Sequence, residues 1–183
     1  MTGVQTCALP IYALDAASGR ELWRYDPQPD YRAARNPCCD LVNRGVALWR
    51  GRVYVAAVDS MLHAIDARTG KRIWKVDTIV DHRLPYSSTG APLMAGDKVV
   101  IGNSGSDMGR DGVRGYVSAF DAQTGKFLWR FWTVPPPPGR PLEHPELAQA
   151  ARTWDPKRPA SSQGGGTAWD GFAYDAKIGR AHV

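Results

Sequence analysis

Three short stretches hold the residues with the most chemical content. In NPCCDLVNRG, Asn36 to Gly45, Cys38 is followed directly by Cys39. Consecutive Cα atoms sit about 3.8 Å apart, below the roughly 4.4 to 6.8 Å that ordinary disulfides span, so joining these sulfurs would close a small, strained ring. Strain of that kind tends to have a use; the bland alternative is two reduced, buried thiols. In GGGTAWD, Gly164 to Asp170, three glycines permit close backbone approach ahead of Trp169. An indole there offers stacking area with few rotatable bonds, although taken alone it would read as core packing. GSDMGRDGVRGY, Gly105 to Tyr116, offers Asp107 and Asp111. Carboxylates are hard oxygen donors, and the plain alternative is that neither binds a metal.

The elements that must position these groups are legible as an internal repeat. YALDAASGRELWR (12 to 24), LHAIDARTGKRIWK (62 to 75) and VSAFDAQTGKFLWR (117 to 130) share the columns Ala, Asp, Ala, Gly and Trp, and a fourth copy is expected to begin at FAYDA (172 to 176). The aspartates Asp15, Asp66, Asp121 and Asp175 are spaced by 51, 55 and 54 residues, the period of propeller blades. Each copy reads as an alternating strand, an Asp-x-x-x-Gly turn and a second strand carrying Trp23, Trp74 or Trp129. RVYVAAV (52 to 58) and KVVIGNS (98 to 104) add further strands, giving about four per repeat. The expected fold is all-β, about three blades of a propeller, with the tryptophans docking one blade onto the next. Residues 134 to 166 interrupt the repeat with a proline run, one short helix at PELAQAART and three glycines. That insertion either wraps the surface, helps build a site, or is merely solvated. Unclosed blade ends should expose apolar sheet faces and make the isolated piece poorly soluble.

The termini read differently. Ile178 to Val183 can be encoded by ATC GGA AGA GCA CAC GTC, whose reverse complement in a shifted frame encodes Thr6 through the start of Ile11. That DNA resembles a synthetic sequencing adapter, so residues 1–11 and 178–183 are expected to be non-native flanks around a natural segment at 12–177. The formal charge of +5 becomes +4 without Arg180, and the basic residues are scattered, which leaves a nucleic-acid partner no patch to bind. No apolar run is long enough to span a membrane, and membrane association and a signal peptide stay open. Without Cys7 the cysteine count is even, which is compatible with an oxidising compartment.

The repeat, CCDLVNRG, YSSTGAP (86 to 92), GNSG with GVRGYVSAFD (102 to 121) and GGGTAWD together resemble the quinoprotein methanol and ethanol dehydrogenases. The resemblance covers essentially all of 12–177. It implies an eight-bladed propeller that binds pyrroloquinoline quinone (PQQ) and a metal ion. It further implies that a Cys38–Cys39 disulfide lies against one face of the quinone, that Trp169 stacks on the other, and that Thr167 hydrogen-bonds the cofactor. Arg44 would pair with a PQQ carboxylate, and Thr78, Thr89, Gly90 and Ala91 would meet the cofactor's rim. The family's metal-binding glutamate is replaced here by Asp107, whose shorter stem requires the backbone to approach; Asp111 is the second candidate, and the ion would be calcium or a lanthanide.

The implied activity is oxidation of a small primary alcohol in the periplasm, with hydride passing to PQQ and electrons to a c-type cytochrome. The family's catalytic aspartate belongs to a later blade, so the segment alone is expected to be inactive. Two rivals remain: a non-enzymatic propeller scaffold for protein–protein interaction, and a quinoprotein sugar dehydrogenase. The cysteine pair argues against both, and GGGTAWD against the scaffold.

Overall fold

The hairpin turns of the repeat are closed by one device. The Oδ1 of Asp66 accepts from the backbone amides of Arg68 (3.1 Å) and Thr69 (2.7 Å) and from the Thr69 hydroxyl (2.8 Å). Asp15 with Ser18, and Asp121 with Thr124, repeat this arrangement. The hydroxyl and amide bonds from Ser18, Thr69 and Thr124 hold all three carboxyls below the ordinary aspartate range. The turn therefore depends on Asp and on a hydroxyl three residues later. Gly19, Gly70 and Gly125 then take φ of +70°, +70° and +74°, which glycine adopts at no steric cost.

A computed structural model describes residues 10–37, 41–105, 113–154, 157 and 164–178, and the backbone of 180–182. β1 (Ile11–Leu14) and β2 (Glu21–Tyr25) form a two-stranded antiparallel hairpin. A 3-10 turn at Tyr31–Arg35 follows. β3 (Ala47–Trp49), β4 (Arg52–Ala56), β5 (Met61–Asp66) and β6 (Arg72–Asp77) form a four-stranded meander. β7 (Leu93–Ala95), β8 (Lys98–Asn103), β9 (Tyr116–Asp121) and β10 (Phe127–Trp132) form a second. The helix α1 (Glu146–Arg152) lies where PELAQAART was read, and β11 (Ala173–Asp175) pairs with β12 (Arg180–His182). The result is half a blade, two whole blades and a further hairpin, the partial all-β propeller expected.

The middle strands are apolar on both faces because each is sandwiched. Tyr54, Ala56, Leu62 and Ala64 meet Val99, Ile101 and Phe120 of the next blade. On the reverse side of the same strands, Val53, Val55 and Ile65 pack on Ile11, Trp23 and Tyr25 of the preceding hairpin. This explains why RVYVAAV lacks the polar alternation of a one-sided strand.

The repeat tryptophans join the blades. Trp23 Nε1 donates to the Ala67 carbonyl at 2.8 Å, and a Cβ on Gly70 would lie 2.8 Å from the Trp23 ring. Trp74 Nε1 donates to Ala122 O at 3.3 Å, where the Tyr54 hydroxyl (2.8 Å) and the Arg52 guanidinium (3.0 Å) also donate. Trp129 meets no corresponding turn among the described residues and is 41% exposed.

The fourth repeat copy needs correction. β11 lies beside β7, just as β3 does, so FAYDA takes the place of a blade's first strand, whereas the other three copies are third and fourth strands. The misreading has a local cause. Asp175 Oδ1 accepts from Lys177 N (2.8 Å) and Ile178 N (3.3 Å), the same Asp-led turn in a different hairpin.

Candidate functional site

The GGGTAWD stretch crosses the second whole blade by a route open only to glycine. Gly164, Gly165 and Gly166 have φ of +67°, +113° and +69°, a run that side chains would strain. The close approach itself is made from the other side. A Cβ on Gly102 would run into Ala168, one on Gly105 into Gly165, and one on Gly115 into Gly166. Backbone bonds fix the path: Gly115 N donates to Gly165 O (2.8 Å), and Gly165 N donates to Val113 O (3.1 Å). The Thr133 hydroxyl donates to Gly166 O at 2.5 Å. Ala168 is buried against Val100, Val117 and Ala119. Held this way, the next residue, Trp169, leaves 46% of its surface exposed.

Arg44 lies on that indole, its guanidinium carbon 4.6 Å from the ring centroid. Its backbone amide and its Nη1 each donate to Thr89 O at 3.2 Å. Gly90 is buried directly under Trp169, where a Cβ would come within 3.0 Å of the Trp169 carbonyl oxygen, and a Cβ on Gly45 would touch Ala91 at 3.4 Å. Thr167 Oγ1 accepts from Gly105 N at 2.9 Å. Arg44, Thr89, Gly90, Ala91, Thr167 and Trp169, drawn from three separated stretches, therefore converge.

Thr78 stands behind this group. It is buried, its hydroxyl donates to Ser60 O (2.8 Å) and accepts from Asn103 Nδ2 (3.0 Å), and its carbonyl accepts from the Tyr116 hydroxyl (2.9 Å). Cys38, Cys39, Asp107 and Asp111 lie outside the described residues, among which no cluster of three or more His, Cys, Asp or Glu side chains could hold a metal.

Sequence reasoning missed a polar seam running into the site. Ser87 and Ser104 exchange three hydrogen bonds of 2.9 to 3.2 Å, and Ser88 Oγ donates to Gly102 O at 2.9 Å. Asn103 is fully buried and its Oδ1 has no partner among the described groups. The paired serines of YSSTGAP and the Asn-Ser of GNSG were the available signal. Burial pushes the nearby Tyr86 phenol up to about 12, so it stays a neutral donor, here to Arg114 O at 3.1 Å.

The glycine path, the half-exposed indole and the Arg44 guanidinium against it fit a flat, conjugated polyanion: an aromatic surface to stack on and a fixed cation to pair with its charge. Comparison with known proteins gives the family. Residues 4–183 match the model described as "PQQ: Glucose/ethanol/alcohol dehydrogenase, beta-propeller domain". The quinohemoprotein alcohol dehydrogenase ADH-IIG of Pseudomonas putida is 53% identical over 173 residues, spanning 94% of this chain and 24% of that protein. Its solved structure superposes with a TM-score of 0.83 over 92% of this chain and 24% of its own. The 1-butanol dehydrogenase (cytochrome c) of Thauera butanivorans is 47% identical over 148 residues, 80% of this chain and 20% of that one. A europium-containing methanol dehydrogenase superposes with a TM-score of 0.75 at 31% identity, over 92% of this chain and 30% of its own. The chain thus spans about a quarter of the length of its relatives. Its blades, glycine path and match along nearly its whole length place it in one family: the chain belongs to the PQQ glucose/ethanol/alcohol dehydrogenase β-propeller domains.

Proposed function

We propose that the chain is part of a PQQ-dependent alcohol dehydrogenase and supplies the floor and one cationic anchor of its cofactor site. The observation that carries this reading is the 46% exposed Trp169 indole, held on a glycine-only path with the Arg44 guanidinium against it. Trp169 offers the quinone a rigid stacking face, and Arg44, tethered to Thr89 O, keeps a cation at the rim for a PQQ carboxylate. Thr167, Gly90 and Ala91 shape the edge, and Thr78 acts from behind by fixing Asn103. Cys38 and Cys39, as a disulfide, would cover the opposite quinone face. Asp107, or Asp111 in its stead, would hold calcium or a lanthanide.

The chemistry PQQ would supply here, if bound, is an acceptor for the hydride of the alcohol carbon. The hydroxyl proton goes to an aspartate of a later blade, so the chain alone is inactive. Electrons leave to a c-type cytochrome, a reading supported by one relative's name, and the parent protein works in the periplasm. Residues 12–177 are the natural segment of that parent, and its genomic locus, read across Ile11–Tyr12 and Lys177–Ile178, tests this directly.

The functional test is titration of the complete apoprotein with PQQ, read by tryptophan fluorescence and by reduction of a dye with a primary alcohol. Trp169→Ala should weaken PQQ binding about tenfold, the scale of one lost stacking face. A complete protein that takes up no PQQ, or a Trp169→Ala form that binds it unchanged, overturns the reading. PQQ-dependent dye reduction by this chain alone overturns its inactivity.

A further inference from the structure

Among the described residues the Arg114 guanidinium makes four hydrogen bonds, all to residues of the insertion. Its side chain is only 11% exposed. Nε and Nη2 both donate to Val134 O, at 2.9 and 2.6 Å. Nη1 and Nη2 donate to the two carboxylate oxygens of Glu143, at 2.6 and 3.1 Å. Its carbon lies 4.5 Å from the centroid of the Trp132 ring. The backbone of the same residue forms the parallel bridge to Gly165, and its carbonyl takes the Tyr86 hydroxyl at 3.1 Å.

Arg114 therefore has two ends. The side chain holds the insertion where it leaves β10, and the backbone holds the glycine path that presents Thr167 and Trp169. His144, next to Glu143, reinforces the outer end: it accepts from Trp132 N at 3.1 Å and stacks on Phe131 with centroids 4.0 Å apart. A merely solvated insertion would need none of this. We propose that Arg114 is a positioning residue, clamping the first part of the insertion, residues 134–143, so that it and the Trp169 floor are held as one unit. Its link to cofactor affinity rests on the function proposed above; the clamp itself does not.

The discriminating variant is Glu143→Gln, because among the described residues the Glu143 carboxylate is bonded by the Arg114 guanidinium and its change leaves the backbone of both segments intact. It should be made in the complete protein beside Arg114→Gln and the double variant. Hydrogen exchange of the peptide covering 164–169 and trypsin cleavage after Arg140 or Arg152 are read without cofactor; PQQ affinity is read by titration. Each single variant should speed exchange at 164–169 and cleavage about tenfold, since losing a charge-assisted partner of a mostly buried guanidinium shifts local opening by that order. PQQ affinity should fall about tenfold, the low end for loss of an outer-shell support. The double variant should be no worse than Arg114→Gln, as expected of one link cut twice. If Glu143→Gln loosens the insertion but leaves exchange at 164–169 unchanged, the coupling is overturned, and this holds even where Arg114→Gln fails to fold. A parent protein that binds no PQQ refutes the proposed function instead, while the exchange and cleavage readings still judge the clamp.

Discussion

Gly70→Ala tests the blade contact at its tightest point. Gly70 has φ +70°, and an added Cβ would sit 2.8 Å from the Trp23 ring, where real Cβ atoms are essentially never found. Two costs combine: placing an L-residue in the left-handed region, about 1 kcal/mol, and forcing apart a packed contact, a further ~1 to 3 kcal/mol. Gly96→Ala separates them, because Gly96 has φ +64° with nothing within 4 Å of the added Cβ. Urea denaturation of the complete protein should therefore show Gly96→Ala costing about 1 kcal/mol and Gly70→Ala about 2 to 4 kcal/mol. Trp23→Ala is destabilising by itself, but it removes the ring that the new methyl meets, so the added cost of Gly70→Ala in that background should shrink to that of Gly96→Ala. Equal costs for Gly70→Ala and Gly96→Ala would refute the claim that the indole adds its own cost to that of the backbone conformation at Gly70.

Two further outcomes are expected. Burial lowers the His63 imidazole to about 4, with Lys75 and Arg72 adding to the shift, so the unfolded chain binds this proton more readily than the folded one. Stability then falls as pH drops from about 6.5 toward 4, by at most about 3 kcal/mol, and His63→Gln should flatten that part of the pH–stability curve. The isolated chain should self-associate through the exposed Phe127, Trp129 and Phe131 side chains of β10, and Trp129→Gln should reduce this; a monodisperse monomer of the isolated chain in size-exclusion chromatography contradicts it.

The blades were legible because their information is local and repeated. Asp66, Gly70 and Trp74 sit at fixed offsets, and each acts on its own turn or the next blade's copy of it. FAYDA misled for the same reason: an Asp-led turn says that a hairpin closes there, not which hairpin of a blade it is. The site was legible in part. Trp169 and Arg44 announce themselves by residue type, but the bonds of Thr78 to Ser60 O and Asn103 Nδ2 join positions 18 and 25 residues apart and could not be read in sequence. Arg114 was invisible for a different reason. Its partners Val134 and Glu143 lie 20 and 29 residues away in a stretch with no repeat to predict their placement.

The tryptophans show what residue type leaves undecided. Trp23 and Trp74 have their ring faces filled by the Cα of a glycine and their Nε1 bonded to a carbonyl, so they are spent on joining blades. Trp169 is also surrounded by glycines, but these act on its backbone: Gly90 lies under its carbonyl, while Gly102, Gly105 and Gly115 let the preceding chain through. The ring is left over, meeting a guanidinium and solvent. A glycine aimed at an indole ring consumes it in packing, whereas one aimed at the backbone of the indole's residue delivers the ring to whatever binds. Substituting Gly90 should therefore disturb binding before stability, the reverse of substituting Gly70.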